Sequence, residues 1–123
     1  MRVPIAYSMA WPDRFDSGVE PLNIFDVRRM DFQEPNLERF PCLRLAYEAI
    51  NKAGIMPTVL NAANEIAVDA FLNEQVRFTD IPVIIERCME KFDVKPANSL
   101  DIILEADQQA RMVSKQIISE LNH

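Results

Sequence analysis

The sequence predicts a mainly α protein: a C-terminal four-helix bundle preceded by an irregular, proline-rich extension with short helices and an extended linker. Two observations predict it. From Pro41 onward the apolar residues recur at helical spacing, in runs separated by short connections. Before that point prolines at 4, 12, 21, 35 and the boundary position 41 interrupt any regular apolar pattern, so only short elements can form there.

Within the extension, "VPIAYSMAW" suits a brief helix with Pro4 in its first turn. Trp11-Pro12 should stop it, because a residue before proline avoids the helical region. "DSGVEPLN" reads as a turn, "IFDVRRM" as a second short helix and "MDFQEPN" as extended. The first bundle helix starts at Pro41 and carries Leu43, Ala46, Tyr47 and Ile50 as its expected buried stripe, with Gly54 just past its last turn. The second bears Leu60, Ala63, Ala67, Ala70 and Phe71, widened by Ile66, Val68 and Leu72. Thr79-Asp80 caps the third, which tolerates Pro82 in its first turn and places Ile81, Ile84, Ile85, Cys88 and Phe92 on one side. Ser99 caps the fourth, which runs to about Asn122, with Leu100, Ile103, Leu104, Ala110, Val113, Ile117 and Leu121 as its expected seam. At 1.5 Å per residue that helix is roughly 35 Å long and would be the spine of the bundle. Four amphipathic helices with short connections bury their stripes most simply against one another.

Composition narrows the function classes. A chain of 123 residues fits one domain, with or without an extension, and its 49% hydrophobic and 26% charged residues are those of a globular protein. Gly18 and Gly54 stand alone, so no glycine-rich phosphate loop exists. A net charge of −6 opposes nucleic-acid binding, which needs clustered Lys and Arg. No apolar run reaches the roughly 20 residues of a membrane span, and no signal-peptide pattern is present, so a cytoplasmic location is expected. Cys42 and Cys88 lack metal or redox spacing and are expected as reduced, buried thiols. His123 is the single histidine, which rules out a His-based metal site or triad.

Polar residues inside apolar runs are the remaining candidates. "LNAANE" puts Asn61, Asn64 and Glu65 into a stretch with the look of a buried helix. They form an exposed face, a helix cap by Asn61 or Thr58, or a built hydrogen-bond network, with Glu65 placed favourably near the positive helix end. A catalytic Glu65 would need a second ionisable group poised against it, and the sequence supplies none. Asp101, Glu105 and Asp107 could ligate a metal, but their spacing follows the outer face of the last helix, where a solvated acidic face is the simpler reading. Tyr7, Met9 and Trp11 would line a pocket or anchor a short helix. At the Arg77 to Asp80 junction, Asp80 suits the helix dipole and Arg77 can bond carbonyls of the preceding helix.

Taken together and in order, "PIAYSMAWPDR", "LERFPCLRLAYEA", "LNAANEIAVDAFL" and "RFTDIPVIIE" resemble the C-terminal part of the 1-deoxy-D-xylulose 5-phosphate reductoisomerase family. The resemblance covers essentially the whole chain. It implies that residues 1–20 end a central catalytic domain, 21–39 form a linker and 40–123 form a helical domain, with the NADPH-binding domain and most of the central domain preceding them. The implied parent is an NADPH-dependent enzyme of non-mevalonate isoprenoid biosynthesis. It converts 1-deoxy-D-xylulose 5-phosphate to 2-C-methyl-D-erythritol 4-phosphate with Mg²⁺ or Mn²⁺ as Lewis acid.

By the same resemblance, the metal carboxylates, the phosphate-binding residues and the lid tryptophan all precede this stretch. Trp11 is therefore not the lid residue, and neither catalytic nor metal-binding residues are expected here. Met1-Arg2 matches the end of a Gly-x-Pro-Asp-Met-Arg pattern whose methionine packs near the nicotinamide, so Met1 is the implied cofactor contact, although a start codon supplies a methionine too. On this reading the chain is a truncated, inactive structural piece that binds no cofactor by itself. Its expected partners are the missing domains and further copies of itself in a homo-oligomer, with no nucleic acid or membrane. The alternative is a self-standing helical interaction or dimerisation module.

Overall fold

A computed structural model describes residues 1–121, and every regular element among them is helical. They are α1 (Arg2–Ala10), α2 (Ile24–Val27), α3 (Pro41–Lys52), α4 (Met56–Leu72), α5 (Asp80–Glu90) and α6 (Leu100–Leu121). The expected end of the last helix at Asn122 lies outside the described residues. The chain divides into two compact units, Met1–Glu34 and the part from Pro35 onward.

The first unit holds α1 and α2 and has no buried residue. Pro4 does sit in the first turn of α1, and the helix stops at Trp11 before Pro12. Tyr7 and Trp11, one turn apart, meet edge to face with ring centroids 5.8 Å apart, and the Arg14 guanidinium lies 5.2 Å from the Tyr7 ring. Asn23 caps α2 by accepting from the Phe25 amide at 3.1 Å. That helix is a single turn, and residues 28–36 have no regular structure.

The second unit is built around α4, which packs on α3, α5 and α6 and most extensively on α6. The core holds Leu45 and Ala49 of α3, Met56, Val59, Ala62, Ala63, Ala67 and Ala70 of α4, Ile81, Ile84, Ile85, Cys88 and Met89 of α5, and Ala106, Ala110, Ser114, Ile117 and Ile118 of α6. Alanines make up four of the six buried residues of α4, and two alanines and a serine are among the five of α6, small side chains that suit close helix packing. The α5 stripe lies where the periodicity puts it, with Phe92 packed at the edge of the core.

Three stripes differ from expectation, that of α4 only at its end, where Leu72 is exposed. On α3 the predicted residues Leu43, Ala46, Tyr47 and Ile50 are exposed, and Leu45 and Ala49 face the core instead. On α6 Leu100 and Leu104 are exposed, Leu104 by 57%, while Ala106 and Ser114 take the core positions. On α6 periodicity weighted by side-chain size favours the bulky row, while small side chains take part of the core face; on α3 two apolar rows compete, and the spacing does not say which of them meets the core.

Helix ends also differ in detail. Ile55, not Thr58 or Asn61, precedes α4, so those two polar residues lie inside the helix rather than capping it. Thr79 precedes α5 without a side-chain cap bond, and Ser99 does cap α6 by accepting from the Ile102 amide at 3.3 Å. Cys88 is buried as expected but Cys42, on the second residue of α3, is exposed. Past the end of α3 both Ala53 and Gly54 adopt positive φ, and the Ile55 amide donates to the Lys95 carbonyl at 3.0 Å. Gly54 thereby lies flat against the backbone that leads into α6.

Candidate functional site

Asn61 and Glu65 lie one turn apart on the exposed side of α4, and the Asn61 side-chain amide donates to Glu65 Oε1 at 3.0 Å. The other carboxylate oxygen, Oε2, accepts from Arg111 Nη2 of α6 at 2.7 Å. Arg111 is itself held within α6, where its Nε donates to Asp107 Oδ2 at 2.7 Å. The four side chains therefore form one hydrogen-bonded bracket across the α4–α6 contact. Asn64, a residue away, is half-buried and has no bond in the bracket.

The electrostatics follow from these bonds. The Arg111 guanidinium, helped by Asn61, holds the Glu65 carboxyl below its usual range. Asp107 and then Glu65 push Arg111 further toward its charged form. A carboxylate made less basic and already occupied on both oxygens is a poor proton acceptor at neutral pH. The arrangement can clamp two helices. Of the readings of "LNAANE", the exposed face and the hydrogen-bond network hold and the cap does not, since Glu65 lies more than two turns beyond the start of α4. Arg111 is the member that sequence reasoning missed. Its Asp107–Arg111 spacing was legible, but which α4 residue faces it depends on how the helices cross.

Glu65 titration gives a direct test. Its carboxyl is depressed in the folded chain, so its contribution is present above the unfolded carboxylate value and is lost as pH falls through the folded one. Urea unfolding of the wild-type and Glu65→Gln chains should differ at neutral pH, and the difference should narrow as the pH is lowered through the acid range in which the depressed Glu65 carboxyl takes up its proton. A gap that is constant across that range would remove the ion pair from the account.

The other sequence candidates stay apart. Asp101 and Glu105 are exposed on α6, and Asp107 is committed to Arg111. Among the described residues no three His, Cys, Asp or Glu side chains are grouped to hold a metal ion. Arg77 does not reach the carbonyls of α4 but pairs with Asp80, whose carboxylate also accepts from the Arg77 amide at 2.9 Å. Those bonds lower the Asp80 carboxyl and close the turn into α5. A second bracket links α3 to α5, with Arg44 reaching Glu48 at 2.6 Å and Glu86 at 2.7 Å. The Cys88 thiol is pushed up by burial, which makes it unreactive, and its Sγ lies 3.7 Å from the Ala110 carbonyl. Met1 precedes α1 and is 91% exposed. Residues Val3, Tyr7, Arg14 and Phe15 line a shallow hollow of 290 Å³ that does not include it.

Comparison with known proteins gives a consistent result. The family model of the DXP reductoisomerase C-terminal domain matches residues 1–113. A 1-deoxy-D-xylulose 5-phosphate reductoisomerase of Methylococcus capsulatus is 50% identical over 121 residues, 98% of this chain and 31% of its own length. That of Pseudomonas aeruginosa strain UCBPP-PA14 is 55% identical over 116 residues, 94% of this chain and 29% of its own. The solved reductoisomerase of Zymomonas mobilis in complex with NADPH superposes with a TM-score of 0.80 at 40% identity, covering 94% of this chain and 31% of that one. A DOX-P reductoisomerase in complex with NADPH, fosmidomycin and magnesium gives 0.83 at 35% identity, covering 99% and 32%. The chain spans about a third of the length of the relatives it matches.

Proposed function

This chain belongs to the DXP reductoisomerase C-terminal domain family, and from that premise we propose that it is the helical C-terminal portion of an NADPH- and divalent-metal-dependent 1-deoxy-D-xylulose 5-phosphate reductoisomerase. The whole enzyme would rearrange and reduce its substrate to 2-C-methyl-D-erythritol 4-phosphate in the cytoplasm. The observation that carries the proposal is about half identity, over nearly the whole of this chain, to reductoisomerases some three times its length.

Residues 1–20 would close the central domain, 21–39 link it and 40–123 form the helical domain. In that enzyme NADPH supplies hydride and the divalent ion polarises substrate oxygens. The residues present do not fit the metal, because the acidic side chains are dispersed or already paired with arginines. Met1 alone is a single thioether contact at the nicotinamide, too little to order a dinucleotide. The role left to this portion is structural: it offers a rigid, cross-braced helical block to the rest of the polypeptide.

No helix of the described residues is long and apolar enough to cross a membrane. The first unit instead exposes Ile5, Met9, Trp11, Ile24, Phe25 and Phe32, which in the absence of the catalytic domain favour pairing between copies of this chain.

The test is kinetic. The purified chain, given deoxyxylulose phosphate, NADPH and Mg²⁺, should oxidise no NADPH above a no-protein control, while the longer polypeptide of the same reading frame should oxidise it readily. Turnover by the chain alone, or none by the longer polypeptide, would overturn the proposal. A stop codon and promoter immediately upstream of Met1 would favour the alternative, a self-standing helical interaction module. In sedimentation the full chain should associate and a shortened chain beginning at Pro35 should not.

A further inference from the structure

α3 is apolar on two sides. Leu43 and Leu45, like Tyr47 and Ala49, are two residues apart and so point about 160° away from one another at 3.6 residues per turn. One side, Leu45 and Ala49, is sealed in the core. The other, Leu43, Ala46, Tyr47 and Ile50, repeats at i, i+3, i+4 and i+7 without a charged residue and stands 37%, 60% and 67% exposed at Leu43, Tyr47 and Ile50. Arg44 and Glu48 fill the edge between the two sides and pair with each other, and Arg44 also pairs with Glu86 of α5, so the polar part of this helix already has its partners. A helix apolar on opposite sides is built to lie between two layers, and the bundle provides one of them.

We propose that the outer face of α3 is the surface on which this helical domain seats against the preceding part of the same polypeptide. The inference rests on the family reading above, and deepens it by naming the face. About two thirds of the relatives' length lies outside this chain, and α3 is the first helix of its compact unit, next to the segment that leads back toward that missing length. Area also selects this occupant over a second copy. Four side chains at these exposures offer on the order of a few hundred Å², below the roughly 800 Å² per partner that a standard free-standing interface buries. A tethered partner meets the face at millimolar-range effective concentration, so a small apolar patch suffices. At the same end of the helix Phe40, Cys42, Phe78 and Pro82 line an open, mostly apolar hollow of 350 Å³, which gives the facing domain a recess for a protruding side chain. The seat on the partner should accordingly be apolar at its centre.

The experiment is thiol labelling. In a Cys42→Ser background, Ile50→Cys and, separately, Ala46→Cys are reacted with a maleimide in the 123-residue chain and in the longer polypeptide of the same reading frame. Both sites should react freely in the chain and about tenfold or more slowly in the longer polypeptide, because the packed centre of an interface excludes solvent and reagent. Equal rates in the two overturn the inference. So does protection in the chain alone that rises with its concentration, which would identify a second copy as the occupant. Activity is read on the same longer polypeptide: an active enzyme with unprotected thiols refutes the docking face and leaves the function standing, whereas protected thiols in an inactive protein do the reverse.

Discussion

Alanine at Gly54 should lower the stability of the bundle by about 2–4 kcal/mol, combining the cost of positive φ for a residue with a Cβ and that of forcing atoms into a filled space. Gly54 has φ +56, and a Cβ there would overlap the carbonyl oxygen of Lys95. That carbonyl is backbone, and it accepts the Ile55 amide, so it cannot move aside without giving up the bond that holds the α3–α4 turn to the segment before α6. Urea unfolding should show a lower midpoint with an unchanged slope. Gly18→Ala is the control: φ is +66 there too, but nothing lies within 4 Å of the added Cβ and the site is in the other unit. Equal effects of the two substitutions on the bundle transition would reject the close approach at Gly54.

Ile84→Ala should cost about 2–5 kcal/mol, as expected for a large side chain whose removal leaves a cavity in a packed core. Ile84 is fully buried on α5, the helix that packs on α3, α4 and α6 alike. Leu104→Ala should stay within about 0.5 kcal/mol, because that leucine stands mostly in solvent despite its apparent place in the α6 seam. Chemical denaturation of Leu104→Ala tests the phasing of α6, with Ile84→Ala on α5 as the buried reference. A loss at Leu104 as large as that at Ile84 would return the α6 seam to the bulky row.

Much of this was legible in the residues themselves. Pro4, Trp11-Pro12, Pro41 and Ser99 mark helix ends by local chemistry, and the ends lie close to where that chemistry puts them. The α5 stripe was legible because isoleucine on one side and charge on the other leave a single way to bury the helix. The α3 stripe was not, since two apolar rows compete there and the spacing does not say which of them meets α4. The network at "LNAANE" was visible as three polar residues in search of partners. Its closing member Arg111, 46 positions along the chain from Glu65, was not.

By itself, then, the sequence determined the helical class, the division between a proline-broken extension and a periodic bundle, the family, and the absence of glycine-loop or histidine chemistry. The family rests on the resemblance of four stretches taken in order, and the others follow from local propensity, composition or spacing, which act within a few residues. Only the tertiary structure decided that alanines and a serine rather than Leu100 and Leu104 are buried on α6, that Glu65 is a clamp, and that α3 keeps an apolar face outward. Those outcomes depend on how closely two helices approach and in what register they cross. That is set by the combined volumes of side chains distant in sequence, and no single helix carries the information.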